Sequence, residues 1–534
     1  MKGLFRSKLV LTLVALVLIA SAIAIPLAGS ITHSHAASSK TQPSLRDTPA
    51  WNYISSAGQM MILRKLGISS TVSSKPSDLH SAVQQAPVSS QAVVTGNVPV
   101  NAIKTDTTTT QSETTIAIDP TSPGVLMAGY NDDSLHSSNF TGYSFSLDGG
   151  TSWTDAGFLP PPSSGGSDGG DPALTVDKKG TFYFAQLASN SSGEFVSMSL
   201  CSFSSKAKAV TCALPLVVSA IGNGTTVFND KEYITYDPVH NRVYVTWTVF
   251  SMAGATPEMR FFDVGTKKFS SIFTLSSVVQ GSGTFPVATS TGLLYVFYEG
   301  FNNTGLKGPE AIDYVTFDPK TQKISPVKVV ANQSILPATS NTSACGREAY
   351  TTQAFDTMHA ARANEFPWVA VDSFDDIYVV WNSEISSGSP VSNIFFSILP
   401  HGSSHWTAPS KVKASSLIQF QPAVAIAHKT VAITYFQVIK LKNGSYRIER
   451  DQADAPVATS PIFKPFTIST QSFAADQTNP NFDPRIATCY MGDYSASVGS
   501  VKGPNVYSLW GDNRNVVPGI GPQPDVYATV VTVP

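Results

Sequence analysis

From Gln111 to the C-terminus the chain repeats one pattern of polar and apolar positions. A polar or acidic residue precedes a run of alternating apolar positions, a short turn follows, and a second alternating run ends near an aromatic residue. Alternation with period two marks a strand with one face buried. The paired runs are Glu113-TTIAID with VLMAGY, Asp171-PALTVD with TFYFAQ, and Glu232-YITYD with RVYVTW. Four more follow: Phe285-PVATS with LLYVFYE, Phe366-PWVAVD with DDIYVVW, Gln421-PAVAIA with TVAITYF, and Asp493-YSASVG with NVYSLW. The spacing leaves room for two further strands per unit, visible as GYSFSLD, MRFFDV, DYVTFD, NIFFSIL, YRIERD and VYATVVTV. Four strands per unit, repeated around an axis, predict an all-β fold: a β-propeller of four-stranded blades. Seven units are counted; six is the alternative if the first or last copy belongs to one shared closing blade. A β-sandwich is the rival architecture, but it does not predict the repeat.

The region before the repeat reads differently. Residues 1–37 carry Lys2, Arg6 and Lys8, then an apolar run over 9–25, Pro26 and the small residues of Ser34-His-Ala36. This is the pattern of an export signal peptide, with an uncleaved membrane anchor as the alternative. The expected location is secreted and extracellular, with membrane contact only through that segment. Residues 38–105 are rich in Ser, Thr, Gln, Val and Pro and read as a linker or pro-segment. Within it Thr48-Pro49 is a helix start, predicting a short helix over 49–66 with Trp51, Ile54, Met61 and Leu66 on one face. The propeller is expected over 106–534.

Composition narrows the classes. Only 13% of residues are charged and the formal net charge is -2, which excludes the basic stripe a nucleic-acid binder needs. The four cysteines of an exported chain permit two disulfides, Cys201 with Cys212 across one hairpin and Cys345 with Cys489 at long range; buried free thiols are the alternative. No cysteine or histidine spacing suggests a zinc site. No cofactor and no metal site are expected, calcium being the one ion the acids below could take.

One stretch carries a resemblance. Ser146-Leu-Asp-Gly-Gly-Thr-Ser-Trp153 has the turn chemistry of a tight hairpin: Asp148 can bond turn amides and the glycines accept positive φ. With Ser146, Asp148, Gly150 and Trp153 in place, it resembles the Asp-box, or BNR repeat, of the sialidase-like β-propeller superfamily. A second, degraded copy, Ser397-ILPHGSSHW, keeps Ser397, Gly402 and Trp406. The segments NDKEYITYDP, FPWVAVD, MGDYSAS and YSLWGDNRN extend the resemblance over the repeat region. It implies a glycoside hydrolase acting on glycans, with three arginines clamping a sugar carboxylate, an Asp acid/base, and a Tyr nucleophile assisted by a Glu. The chain departs from that pattern in having no Phe/Tyr-Arg-Ile-Pro segment.

Blade topology then locates the chemistry. An innermost strand starts on one face of the disc and the second strand ends there, so their flanking residues converge on a channel mouth. The Asp-box turn falls on the opposite side and is structural. Before first strands stand Glu113, Asp171, Asp230-Lys231-Glu232, Glu365, Gln421 and Asp493-Tyr494; after second strands stand Asp132, Gln186, Glu299, Asn382, Glu384, Asp512 and Arg514. Glycoside hydrolysis needs two carboxyl groups across a cleft. The candidate catalytic residues are therefore Asp230, Glu232, Arg485, Asp493, Tyr494 and Arg514. Glu113, Asp132, Asp171, Glu299 and Asp512 are candidates for substrate contact. The competing reading is that these acids serve backbone amides at strand starts. The expected partner is a glycan or cell-surface ligand, and the chain is read as a monomer. An exo-glycosidase and a non-catalytic binding propeller both remain open.

Overall fold

The computed structural model describes residues 43–68, 92–103, 109–134, 139–163, 165–277, 280–301, 306, 310–332, 352–354, 360–362, 364–385, 389, 391–474, 492–517 and 521–534. Within them the repeat is realised as a seven-bladed propeller, each blade a sheet of four antiparallel strands, in sequence order from the axis outward in blades 1 to 6. The innermost strands are Thr109–Ile118, Ser167–Val176, Val227–Asp237, Gln280–Ala288, Trp368–Val371, Gln419–Ala427 and Ala496–Gly499, numbered here as blades 1 to 7. Alternate apolar side chains from facing sheets fill the space between blades. Trp247, Trp381 and Trp510, each within a second strand, are fully buried there.

The inner strands share a device. In blades 1, 2, 3, 4 and 6 the pairing register slips just inside the channel mouth. A residue at positive φ occupies each slip: Glu113, Asp171, Lys231, Gly283 and Gln421. Such a bulge re-aims a side chain that would otherwise lie between sheets. A side chain with Cβ tolerates this φ only at a cost, and four of the five positions nevertheless carry long polar residues. At the other end, Asp119, Asp177, Asp237 and Asp372 close their strand turns by accepting amide hydrogen bonds two residues on, at 2.8 Å each.

The Ser146–Trp153 hairpin lies at that far end, between the third and fourth strands of blade 1. The Ser146 hydroxyl accepts the Gly150 amide at 2.8 Å, and Asp148 accepts the Ser152 amide at 2.9 Å and its hydroxyl at 2.6 Å. Slight burial works to raise the Asp148 pKa, but the bonds from Ser152, Ser146 and Thr151 outweigh it and hold the carboxyl below its ordinary value. Trp153 packs half-buried against the core. In blade 5, Trp406 meets Phe297 and Tyr314 edge-on, 5.8 and 5.6 Å between centroids. Cys201 and Cys212 are disulfide-bonded across the edge of blade 2. Cys345 and Cys489 lie outside the described residues.

The N-terminal region differs from the sequence expectation in two ways. First, the propeller starts earlier than residue 106. Val93–Val94 and Val98–Pro99 pair with the third strand of blade 7, Val93 opposite Thr532 and Val98 opposite Ala528. The seventh blade is thus completed by chain from before the first. Second, residues 49–66 are not one helix. Two 3-10 turns, Leu45–Asp47 and Pro49–Asn52, precede a helix α1 over Ser56–Lys65. Ser55 caps α1, its hydroxyl accepting the Gly58 amide at 2.9 Å. Met61 and Leu66 are only half-buried, and the deepest residues are Leu45, Tyr53, Ile54 and Ile62. Among the described residues no helix is long and apolar enough to cross a membrane.

Asn97, in the closing strand region, ties three elements together. Its carbonyl oxygen accepts the Thr470 amide at 2.6 Å and Arg514 Nη2 at 3.0 Å, and its amide donates to Ile468 O at 2.9 Å. Asn97→Ala is expected to cost about 1–3 kcal/mol, the range for stranding hydrogen-bond partners; a thermal melt of the variant beside wild type measures it. Asp168 and Asp313 are buried off the axis, and desolvation raises each carboxyl to about 7. The folded state therefore holds these protons more tightly than the unfolded chain, whose carboxyls titrate near 3.9. Stability is gained as pH falls through 7 and the gain levels off near 4. The melting temperature is expected to rise between pH 8 and pH 5, and Asp313→Asn to flatten that rise.

Candidate functional site

The bulges of blades 1, 2 and 3 bring their sequence-distant polar residues to one place on the axis, beside those that precede the inner strand of blade 7. Lys231 is at its centre. Its ammonium lies 3.6 Å from Asp171 Oδ2 and in direct contact with Asp493 Oδ2. Burial alone would lower the Lys231 pKa, but attraction to Asp493, Asp171, Glu113 and Asp230 outweighs it and keeps the ammonium charged. Glu113 accepts the Asp493 amide at 2.9 Å and the Asn131 side-chain amide at 3.0 Å, while Asn131 Oδ1 accepts the Asp171 amide at 2.7 Å. Tyr494 donates its hydroxyl across the channel to Pro172 O at 3.0 Å. Gln421 donates to Gly492 O at 2.5 Å. The positive φ of Gly492 brings the backbone against Glu113, with no room for a Cβ.

Around one lysine stand five carboxyl groups, Glu113, Asp171, Asp230, Glu232 and Asp493, all buried. Burial, then the Glu113 charge, pushes the Asp171 pKa well up, with Lys231 opposing. Burial, then Asp230, pushes Glu232 well up, opposed by its own backbone amide, and neither Glu232 oxygen has a hydrogen-bond partner outside its own residue. Asp230 is different: Oδ1 accepts the Lys231 amide at 2.9 Å and Oδ2 accepts the Ser55 amide at 2.7 Å.

A cavity opens beside this cluster. It is lined by Lys231, Glu232 and Tyr494 and by the rings of Tyr233, Phe285, Phe366 and Trp368. Tyr233 and Phe285 stack at 4.1 Å and Trp368 meets Tyr233 edge-on at 5.4 Å. The Phe366 ring lies 5.4 Å from the Lys231 ammonium. The aromatic wall was not foreseen as part of the site. Phe285 and Phe366 opened alternating runs, with Trp368 two residues on, and so read as ordinary core positions; Phe285 and Trp368 lie just past the positions where blades 1 to 3 place Glu113, Asp171 and Lys231.

The remaining candidates separate. Asp132 Oδ1 accepts from the Gln111 side chain at 2.8 Å, within blade 1. Glu299 and Glu365 form a second buried carboxyl pair between blades 4 and 5, where burial, Glu299 and then Glu384 push the Glu365 pKa well up. Arg514 pairs with Asp512 at 2.5 Å, lies 4.0 Å over the Tyr527 ring, and donates to Asn97 and Thr470. These partners make Asp512 and Arg514 a latch of the closing blade rather than a sugar clamp. Arg450, fully buried, donates to Gln421 O and Thr434, and Arg447 donates to Ser472. Arg485 lies outside the described residues. Among the described residues no group of three or more His, Cys, Asp or Glu side chains is placed to hold a metal ion.

No protein-family model matches the chain, and no curated protein matches it. Solved structures do. A protein of unknown function from Dyadobacter fermentans DSM 18053 matches at 11% identity over 83% of this chain and 99% of that one, TM-score 0.43. The Penicillium chrysogenum α-L-arabinanase complexed with arabinobiose matches at 11% identity over 71% and 99%, TM-score 0.40. The phage phi92 endosialidase matches at 9% identity over 83% and 69%, TM-score 0.45. At such identities and TM-scores these likenesses carry no argument about the chemistry of the axial cluster.

Replacing Lys231 by Met would leave buried carboxyls without their cation. The expected loss is about 3–5 kcal/mol at pH 7, the range for stranding half of a buried ion pair. The deprived carboxyls would hold protons more tightly in the folded state than in the unfolded chain, so acidification favours folding. The gap in melting temperature to wild type should therefore narrow between pH 7 and pH 4; a constant gap would show that Lys231 acts through packing instead.

Proposed function

We propose that the chain is a secreted, glycan-acting propeller and an exo-glycosidase that works at the axial cavity. The observation carrying this reading is that the Glu232 carboxyl group lines the cavity together with Lys231, whose ammonium is held by Asp171 and Asp493, and with the rings of Tyr233, Phe285 and Trp368. Aromatic faces suit the apolar C–H faces of a sugar ring, and a few convergent polar groups fix its orientation. Glu232 is suited to the general acid. Its burial beside Asp230 favours the protonated form, and its oxygens are uncommitted. Asp171 or Asp493, facing the Lys231 ammonium, supplies the second carboxyl as base or nucleophile. Arg242, Arg260, Arg447, Arg450 and Arg514 are committed to other partners, which supports an uncharged sugar at the cavity over a sialic acid. The disulfide agrees with an oxidising, extracytoplasmic location.

A second reading, a non-catalytic propeller binding a glycan or a cell-surface protein, is favoured by one observation. Lys231 ties blade 3 to blades 2 and 7 through the same acids the chemistry would use, as a purely structural lock would.

A panel of fluorogenic glycosides, arabinosides and sialosides included, separates the two. Turnover of at least one substrate is expected, with Glu232→Gln reducing kcat by about 10²–10⁴, the usual worth of a general acid, and leaving the melting temperature within a few degrees. Absence of turnover across the panel, together with binding on a glycan array, would establish the second reading.

A further inference from the structure

The same mouth is occupied by the protein's own N-terminal segment. Residues 43–68 lie across blades 1 to 4 on the face where the inner strands begin. The Ser55 amide donates to Asp230 Oδ2 at 2.7 Å, both groups being buried. The Tyr53 ring meets Phe301, at the end of the second strand of blade 4, edge-on at 4.7 Å. A Cβ on Gly58 would fall 2.8 Å from the Phe228 ring, one on Gly169 would fall 2.6 Å from Met61 Sδ, and one on Gly170 would meet Ala57 at 3.3 Å. The Arg64 guanidinium lies 5.0 Å over Phe140 of blade 1. Leu45 donates its amide to Thr225 O at 2.8 Å. The start of α1, where amide dipoles carry partial positive charge, therefore bonds a carboxylate of an acid-rich mouth.

Three features distinguish this from an ordinary extension of the core. The segment adds no strand to any sheet. The hydrogen bond from its Ser55 amide is aimed at the side chain of a mouth residue, Asp230, and not at blade backbone. Its glycine contacts show a fit that any larger residue would break. We infer that residues 43–68 are a built-in occupant of the propeller's mouth, which shields Asp230 and the axial acids and must lift for a ligand to enter over blades 2 to 4. The inference takes the mouth to be the working face, as proposed above, but it concerns access and is tested without a substrate.

The full-length protein is treated with a water-soluble carbodiimide and glycine ethyl ester, and carboxyl modification is mapped by mass spectrometry. Ser55→Pro removes the amide donor at a residue whose φ of −55° proline adopts. Gly58→Leu forces α1 from Phe228 without removing a polar group. Both variants are expected to raise the modification rate of Asp230 and Glu232 by tenfold or more. Exchange protection of the blade strands should stay unchanged, and a synthetic 43–68 peptide should restore shielding. Hydrogen exchange of wild type gives an independent reading that needs no variant: amides of α1 should open in a step of lower free energy than the inner strands. Opening of α1 only together with the blades would overturn the inference, as would unchanged labelling in a variant whose α1 amides exchange freely. Neither result depends on turnover, so a protein with shielded acids and no glycosidase activity would refute the enzyme reading alone.

Discussion

Seven sheets closed around an axis leave the opening residues of each inner strand crowded into a narrow ring, and the fold must decide what to put there. This chain puts carboxyl groups there and turns them inward with bulges. Crowded acids away from water are unstable as anions, so the arrangement depends on Lys231, whose ammonium is shared by Asp171 and Asp493. The hydrogen bonds from Asn131 to Glu113, from Tyr494 to Pro172 and from Gln421 to Gly492 then lock the strand starts in relation to that ion pair. The same contacts that reconcile the acids also join blades that are remote in sequence.

Much of this was legible in the chain because period-two alternation survives in every blade, and propeller topology converts strand boundaries into positions on the mouth. Glu113, Asp171, Asp230, Glu232, Asp493 and Tyr494 could be grouped on that basis alone. The closing strands could not. Val93–Val94 and Val98–Pro99 are two-residue pairings with a proline among them, and nothing in so short a run separates a strand from a linker. Arg514 was misplaced for a different reason. Its position after a second strand is right for the mouth, but a long side chain takes its partners from three dimensions, here Tyr527, Asn97 and Thr470. The helix was displaced because Thr48-Pro49 has the better start signal in sequence. Asp230 makes Ser55 the cap that counts.

The axial acids face two demands. As structural groups they should be fully satisfied; as reactive groups they should keep unsatisfied capacity and a shifted proton affinity. The two are divided among residues. Glu113 and Asp230 are spent on amides, Asp230 on that of Ser55 among them, whereas Glu232 has no hydrogen-bond partner outside its own residue in a buried place. Retaining such a group costs stability, the cost reactive sites commonly carry.

Closure of the seventh blade by residues 93–99 sets an order on folding. Val93 finds its partner at Thr532, so a chain emerging from its N-terminus cannot shut the ring until nearly the whole sequence is available. Until then the early strands and the last sheet present open edges, which favour mispairing. The described contacts of residues 43–68 are with blades 1 to 4, and these are made first. The segment can thus seat while the disc is still an open arc, covering the apolar and acidic surface that the unfinished ring would otherwise expose.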